Sequence, residues 1–295
     1  MFWWRSNIIT EYVADHWKED KFFGSQFLNG FNPTVIRRCQ QLPSNFPVTN
    51  EMVQPFLDAG DSLRSALETG KIFMYDAKHF ERIPKRIPDE GILHVAPGLC
   101  LFYLNSEQQM KPIAIQLYQQ PAEDNPIFLP SDLESDWLLA KMFINNTVVM
   151  QHQFVVHLLK THLLAEVYAL SMLRNLPTVH PIHKILTPHF QGTIAVNTKA
   201  RCNLIVKLFE LTAVGTKGAL ELMKRFHQEI TYTDLCLPDN ITSRGLDDVP
   251  KFYYKEDGLK IWSSLNRFSL DLCTEHNIWT IIDPCFLVCS NVLQA

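Results

Sequence analysis

The feature that most constrains the fold is a long stretch without a helix-breaking residue. Between Trp137 and Leu176 the chain contains neither glycine nor proline, and from Thr147 to Leu176 only three residues are charged. As an α-helix, this 147–176 segment would be about 45 Å long at the usual rise per residue. A helix so apolar on every face belongs inside a domain rather than on its surface. We therefore predict a mainly α-helical domain with a long central helix that begins after a break at 145–147 and ends before Pro177.

Shorter apolar runs in the first 120 residues predict a small β subdomain. Alternating and β-branched residues bounded by turn signals are typical of strands. One expected hairpin joins 93–95 to 99–104 across Ala96, Pro97 and Gly98. The other expected strands are 72–75 and 113–118, and further helices are expected at 48–70, 214–230, 231–236 and 257–272.

Charge and cysteine usage exclude several classes of function. A net charge of -4, from 27 basic and 31 acidic residues, gives no electrostatic basis for binding nucleic acid or anionic lipid. The seven cysteines are scattered without a CxxC pair, which argues against a cysteine zinc site and indicates free thiols in a reducing, cytoplasmic environment. No signal peptide is expected at the start, and Asp283 and Pro284 interrupt the one apolar run near the end, so no membrane span is expected.

Three histidines on the predicted central helix are the candidate metal ligands. His152, His157 and His162 are spaced five residues apart, and imidazole nitrogen is a good ligand for iron, zinc or copper. Five α-helical residues turn by about 140° beyond a full circle, so two such side chains cannot reach one ion. A local π-turn would bring them together, and π-turns concentrate at functional sites. The alternative is that the three are core histidines, each satisfied by a local hydrogen bond.

Several segments of the sequence resemble a known family. The segments WLLAKMFINN and HQFVVHLLKTHLLAE, at 137–146 and 152–166, resemble the His-x4-His signature of animal, arachidonate-type lipoxygenases. The resemblance extends over residues 15–272 and indicates the N-terminal part of the catalytic domain, followed by a divergent tail at 273–295. Further matching segments are FFGSQFLNGFNP at 22–33, PIAIQLYQ at 112–119, NPIFLPSD at 125–132, LRNLPTVHPIHKILTPHF at 173–190, TIAVNTKAR at 193–201, EITYTDLCLPDNITSRG at 229–245 and YYKEDGLKIW at 253–262.

The resemblance implies a chemistry and a set of site residues. The family members are non-haem iron dioxygenases that convert polyunsaturated fatty acids such as arachidonate to hydroperoxides, by abstraction of a bis-allylic hydrogen and addition of O2. His157 and His162 match the two iron-ligand histidines, on a helix that the family widens by a π-turn, whereas His152 matches a histidine that is not a ligand. Ala200 matches a position where alanine tends to accompany S and glycine R stereochemistry; its alternative is ordinary helix packing. The positions that match the fatty-acid pocket are Leu158, Leu163, Val196, Ala200 and Leu204.

Two residues near these sites leave alternatives open. Glu166 either orients a ligand or is a buried charge paired with a distant basic residue, and we favour the pairing. Lys199 either meets a substrate carboxylate or is a solvated surface lysine, and we favour the latter. The histidines at 180, 183 and 189 are interpreted as loop and helix-start residues rather than ligands.

The sequence also departs from the family pattern. Family members usually begin with a lipid- and calcium-binding β-sandwich, which nothing before residue 15 resembles, so peripheral membrane contact is expected only for a full-length enzyme. The family completes its iron site with a further histidine, a histidine or asparagine, and the carboxylate of a C-terminal isoleucine, whereas residue 295 here is alanine. We therefore expect an incomplete domain and iron site, poor solubility, little iron binding, and a tail derived from read-through or an alternative exon. The alternatives are a catalytically inactive lipoxygenase isoform acting as an interaction partner, a non-functional fragment, and a metal-free helical binding protein.

Overall fold

A long helix packed over a small sheet dominates the structure. The computed structural model describes residues 8–87 and 93–275. The long helix runs without interruption from Glu134 to Asn175 as α-, π- and then α-helix. The α-helices are α1 Ile8–His16, α2 Asp20–Asn29, α3 Asn50–Val53, α4 Leu63–Glu68, α5 Glu134–Gln151, α6 Leu164–Asn175, α7 Pro181–Leu186, α8 Thr193–Asn203, α9 Ile205–Glu210, α10 Gly215–Glu229, α11 Tyr232–Leu235, α12 Leu237–Ser243 and α13 Tyr253–Glu275; the π-helix is His152–Leu163, and short 3-10 helices lie at Gln54–Phe56, Lys78–Phe80 and Thr187–Phe190.

The sheet has five antiparallel strands in chain order. Its central strands are almost fully buried, because one face packs on α2 and the long helix and the other on the 39–67 region. Side chains alternate between these two cores, as the period-two geometry of a strand requires: Phe73 and Phe102 face the helices, whereas Ile72 and Leu101 face the smaller core. The strands are β1 Arg37–Arg38, β2 Ile72–Asp76, β3 Leu99–Leu104, β4 Met110–Gln116 and β5 Ile127–Phe128.

Buried polar contacts fix the long helix against this scaffold. The buried Lys141 ammonium donates to Asp20 Oδ1 and to the Lys18 carbonyl oxygen, both at 2.7 Å. Further along the helix, the Thr147 hydroxyl donates to the Ala96 carbonyl oxygen at 2.8 Å. Tyr75 of β2 donates its hydroxyl to Gln151 Oε1 at 3.0 Å, immediately before the π-helix. These contacts fix where the segment that carries the three histidines lies along the helix axis and how it is rotated about that axis.

The structure confirms the fold class and corrects several elements. The long central helix, the small β subdomain and the strands near 72, 99 and 113 are present. The expected break at 145–147 is wrong, because Thr147 lies inside the helix. The hairpin across Ala96–Gly98 is wrong too, since 93–98 is irregular and β3 pairs with β2 and β4. The helix expected at 48–70 is divided into α3, a 3-10 turn and α4.

Not every face of the long helix is covered. Leu139, Val149 and Leu173 are between 40% and 52% exposed, although the apolar composition predicts burial all round. Within residues 8–87 and 93–275, no helix combines the length and apolarity needed to cross a membrane. The divergent tail falls largely outside the described residues, so its expected boundary at 272/273 stays a prediction.

Candidate metal centre

The π-helix is the local structure that the histidine spacing requires. Residues His152–Leu163 follow π geometry, with α-helix directly before and after. Its wider turn is also seen in a side-chain contact, because the Thr161 hydroxyl donates to the carbonyl oxygen of Val156, five residues earlier, at 2.8 Å. Residues five apart therefore lie above one another in this segment.

Two of the three histidines converge through this turn. The Nε2 atoms of His157 and His162 are 3.1 Å apart, and their ring centroids are 4.8 Å apart with nearly perpendicular planes. His152 stacks parallel to His157 at the longer centroid distance of 6.2 Å. Its other neighbour is Phe31, edge-on at 5.6 Å. His157 and His162 thus form the pair, with His152 beside it.

Asn197 of α8 determines which nitrogen of His162 carries the proton. The Asn197 Nδ2 group donates to the His162 carbonyl oxygen and to Glu166 Oε2, both at 2.8 Å. Its Oδ1 atom consequently faces His162 Nδ1 at 2.9 Å, and an amide oxygen only accepts. His162 Nδ1 must therefore carry a hydrogen, and in the neutral imidazole this leaves a lone pair on Nε2.

The amide of Gln153 contacts the corresponding nitrogen of His157. Gln153 Oε1 lies 3.1 Å from His157 Nδ1, one helical turn along the chain. Burial, followed by the charge of His162, lowers the pKa of His157, and burial followed by the charge of His157 lowers that of His152. Lowered pKa values favour the neutral imidazole that metal binding needs.

The pair fits a transition-metal ion. The unprotonated Nε2 of neutral His162 faces His157 Nε2 at 3.1 Å; it accepts a hydrogen bond when His157 carries its proton there, and the two nitrogens can share a cation when His157 carries its proton on Nδ1. Two nitrogens that each bind one ion at about 2.1 Å and at right angles lie about 3.0 Å apart, close to the spacing of His157 and His162. Neutral imidazoles suit iron, zinc, copper or nickel. Within the described residues there is no cluster of three or more His, Cys, Asp or Glu side chains suited to a metal.

Glu166 joins this site through Asn197 and an ion pair. Its two carboxylate oxygens accept from Arg201 Nη1 and Nη2 at 2.8 and 2.7 Å. The Arg201 guanidinium lowers the pKa of Glu166 to about 2. The predicted pairing with a distant basic residue is therefore found, and Glu166 also contacts the residue that holds His162.

The predicted pocket residues lie on two elements that meet beside the histidines. Leu158 and Leu163, on the π-helix, are half-buried and pack against the main core. Ala200 is half-buried on α8, whereas Val196 and Leu204 are 54% and 59% exposed. Val196 and Ala200 share one side of α8, and Leu204, four positions further on, is the C-cap residue of that helix.

Two cavities border the π-helix at other points. A cavity of about 340 Å³ contacts Gln153 and Phe154 and is otherwise lined mainly by apolar side chains of α5 and 208–213. A more polar cavity of about 510 Å³ contacts Val155, Val156 and Lys160. Neither of these two cavities is lined by the five predicted pocket residues.

Comparison with known proteins decides the family. A family model described as lipoxygenase matches residues 6–277. The chain belongs to the lipoxygenase family. Among the curated relatives that it resembles, the mouse polyunsaturated fatty acid lipoxygenase ALOX8 is 46% identical over 272 residues, covering 91% of this chain and 40% of that relative. The mouse hydroperoxide isomerase ALOXE3 is 43% identical over 271 residues, covering 91% of this chain and 38% of that relative.

Solved lipoxygenase structures share the fold. A calcium-dependent 11R-lipoxygenase superposes with a TM-score of 0.86 and 43% identity, covering 88% of this chain and 39% of that chain. The coral 8R-lipoxygenase gives a TM-score of 0.84 and 39% identity, covering 89% and 40%. This lipoxygenase chain thus spans about two fifths of the length of the curated relatives and solved structures that it matches.

One important residue of this lipoxygenase site, Asn197, was not predicted from the sequence. Asn197 is 3% exposed and contacts both His162 and Glu166, which lie 35 and 31 positions earlier. A single asparagine in a helical segment carries no signal for such a contact. The four-residue spacing of Asn197 and Arg201, on one helical face opposite Glu166, is the only hint in the sequence.

Proposed function

We propose that His157 and His162 bind the non-haem iron of a fatty-acid dioxygenase. The observation that carries this proposal is the convergence of the two Nε2 atoms at 3.1 Å on a π-helix, with Asn197 and Gln153 facing both Nδ1 atoms. Membership of the lipoxygenase family supports iron as the metal and a polyunsaturated fatty acid and O2 as the substrates. A mouse relative is named arachidonate 12-lipoxygenase, 12R-type, which supports arachidonate as the first substrate to test.

The protein's contribution in this proposal is binding and orientation. Iron, when bound, supplies the one-electron chemistry that removes a hydrogen atom from a bis-allylic carbon. His157 and His162 would hold the ion through neutral imidazole nitrogens, Asn197 directs the hydrogen of His162 to Nδ1 and so away from Nε2, and Gln153 contacts His157 Nδ1. O2 would then add to the resulting pentadienyl radical to give a peroxyl radical, and return of the electron and proton first taken from the substrate would convert it to the hydroperoxide. The surrounding apolar side chains would exclude water from the pentadienyl radical.

The fatty-acid chain is proposed to lie along the facing sides of the π-helix and α8. Leu158 and Leu163 form one wall, and Val196, Ala200 and Leu204 form the other. More than half of the surface of Val196 and Leu204 is exposed in this chain, so these two are available to contact an apolar ligand. Burial of a long acyl chain against such side chains is the dominant favourable term expected for binding.

The remaining parts of the proposal concern location. We propose that residues 1–272 act as the N-terminal part of the catalytic domain, that 273–295 form a separate tail, and that the protein acts in the cytoplasm. The free thiols of Cys39, Cys100, Cys202 and Cys236 support a reducing compartment. Peripheral membrane contact is proposed only for a full-length enzyme, because one similar protein, the coral 8R-lipoxygenase, is described as activated by calcium through a C2-like domain.

The test is fatty-acid oxygenation by the iron-loaded chain. Ferrous iron and arachidonate are added in air, and oxygen uptake is recorded together with the ultraviolet absorbance of the conjugated diene. The proposal predicts product that is lost in His157→Ala and in His162→Ala. His189→Ala, which changes an exposed histidine on a separate 3-10 turn, is the control that should keep the activity. Iron binding without product would refute dioxygenase activity for this chain and favour the inactive-isoform alternative.

A further inference from the structure

We infer that Asn197 is a positioning residue for the metal ligand His162, and that Glu166 and Arg201 hold Asn197 in the orientation this role requires. The inference rests on the proposed function, since it concerns how one of the two iron-binding histidines is prepared. No sequence motif led to it. It depends on a chain of hydrogen bonds from the exposed edge of α8 to the centre of the π-helix.

The side-chain amide of Asn197 is fixed in one orientation. It is 3% exposed, and both of its amide hydrogens are directed at acceptors that cannot donate, the His162 carbonyl oxygen and the Glu166 carboxylate. A reversed amide would put its oxygen against those two acceptors and leave its hydrogens facing His162 Nδ1. Burying unpaired polar groups in this way is strongly unfavourable.

The fixed amide selects one form of the imidazole. His162 can satisfy Asn197 Oδ1 only by carrying its hydrogen on Nδ1, at 2.9 Å. In the neutral imidazole its Nε2 atom is then unprotonated, and that atom faces His157. A free neutral imidazole exchanges between two forms, and only one of them is able to bind a metal through Nε2.

Arg201 keeps Glu166 charged and in place. The side chain of Glu166 is 12% exposed, whereas that of Arg201 is 45% exposed, so the pair runs from solvent into the site. Two parallel N–H to carboxylate contacts at 2.8 and 2.7 Å give the bidentate geometry that restricts both groups. One Glu166 oxygen then accepts from both Arg201 and Asn197.

The same contacts join α8 to the π-helix. Asn197 and Arg201 lie on one face of α8, and the adjacent face carries Val196 and Ala200, with Leu204 at the C-cap of the helix. Fixing the first face against the long helix fixes the distance of the second from His162. The network therefore positions a metal ligand and one wall of the proposed fatty-acid pocket together.

The experiment compares the full chain with Asn197→Ala, and measures two properties. The first is the proton position on His162 in the metal-free protein, from the two ring nitrogen chemical shifts in long-range 1H–15N NMR spectra. The second is the dissociation constant for ferrous iron, measured by anaerobic titration. Thr198→Ala is the matched control, because Thr198 is the exposed next residue of α8 and its hydroxyl donates only to the Ile194 carbonyl oxygen.

The inference predicts a single Nδ1-protonated form of His162 in the unchanged chain and in the control. In Asn197→Ala the shifts should move to those of an exchanging imidazole, and iron should bind about 10- to 100-fold more weakly, as is usual when a partner of a ligand is removed. In the double variant Asn197→Asp with Glu166→Gln, the new carboxylate at position 197 can accept from His162 Nδ1, and the new amide at position 166 can donate to position 197. This double variant should therefore recover part of the lost iron affinity. A purely structural role for Asn197 would change thermal stability without moving the His162 nitrogen shifts.

An Nδ1-protonated His162 in Asn197→Ala, or unchanged iron affinity, would overturn the inference. If Asn197→Ala fails to fold, Arg201→Gln removes only the outer end of the network, and unchanged nitrogen shifts and iron affinity in that variant would overturn the inference as well. Failure of the unchanged chain to bind iron would contradict the proposed function instead, while the nitrogen shifts of the metal-free variants would still test the role of Asn197.

Discussion

Replacing Gly24 with alanine should destabilise the chain, whereas the same change at Gly258 should stabilise it slightly. Gly24 lies in α2 where that helix crosses β4, and an added Cβ would be 2.0 Å from the Met110 carbonyl oxygen. Real Cβ atoms essentially never come closer than 3.0 Å, so the helix and the strand would have to separate by about 1 Å. No rotamer change relieves this clash, because the obstructing atom belongs to the backbone.

Gly258 in α13 is the matched position. Its added Cβ would be 2.7 Å from Leu237 Cδ2, the end of a flexible side chain that is able to rotate away. Overpacking costs about 1–3 kcal/mol or more, while glycine to alanine in a helix gains about 1 kcal/mol. We expect Gly24→Ala to lose about 2 kcal/mol of unfolding free energy and Gly258→Ala to gain about 0.5 kcal/mol.

Urea unfolding followed by circular dichroism measures both variants. The slope of free energy against urea should stay constant, so that the midpoints report stability directly. Equal unfolding free energies for the two variants would refute the reasoning, since the close approach of α2 to β4 would then have no energetic effect. A more stable Gly24→Ala variant would refute it more strongly.

Two other predictions concern buried charges. Glu166 has a pKa of about 2, chiefly because Arg201 donates to it, against an ordinary value of 4.5. A depressed pKa adds stability that is complete above pH 4.5 and lost as the pH falls towards 2. The destabilisation caused by Glu166→Gln should therefore be smaller in urea unfolding at pH 3 than at pH 6, and an equal difference at both would contradict this pairing. Asp20→Ala should lower the free energy of unfolding by about 3 kcal/mol at neutral pH, because it leaves the buried Lys141 ammonium without its carboxylate. Lys141→Met should lower it by less. Urea unfolding that gives the reverse order would be inconsistent with a buried ion pair.

The central helix and its histidines were largely predictable from the sequence. The absence of glycine and proline after Trp137 required a long helix, and the five-residue spacing of His157 and His162 required a π-turn if the two were to meet. The first statement follows from the absence of helix-breaking residues, and the second from the angle between successive residues of an α-helix. They needed no knowledge of the residues that surround the helix.

The errors came from residues whose partners are distant in sequence. Thr147 resembles a helix cap, but its hydroxyl donates to Ala96, 51 positions away, and the helix passes through it. The sequence of Ala96, Pro97 and Gly98 resembles a hairpin, but β3 pairs instead with β2 and β4. Asn197 was missed for the same reason, because a polar residue in a helix does not reveal which buried group it contacts.

The most direct test of the account is a titration of the purified chain with ferrous iron, without oxygen, alongside His157→Leu and His162→Leu. The account predicts weak but saturable binding of one ion per chain, lost in both variants, because the two Nε2 atoms form the site together. An unchanged chain that binds no iron, or variants that bind it equally well, would contradict the account. Increased stability of both variants without any iron binding would identify the pair as core histidines in a metal-free helical protein.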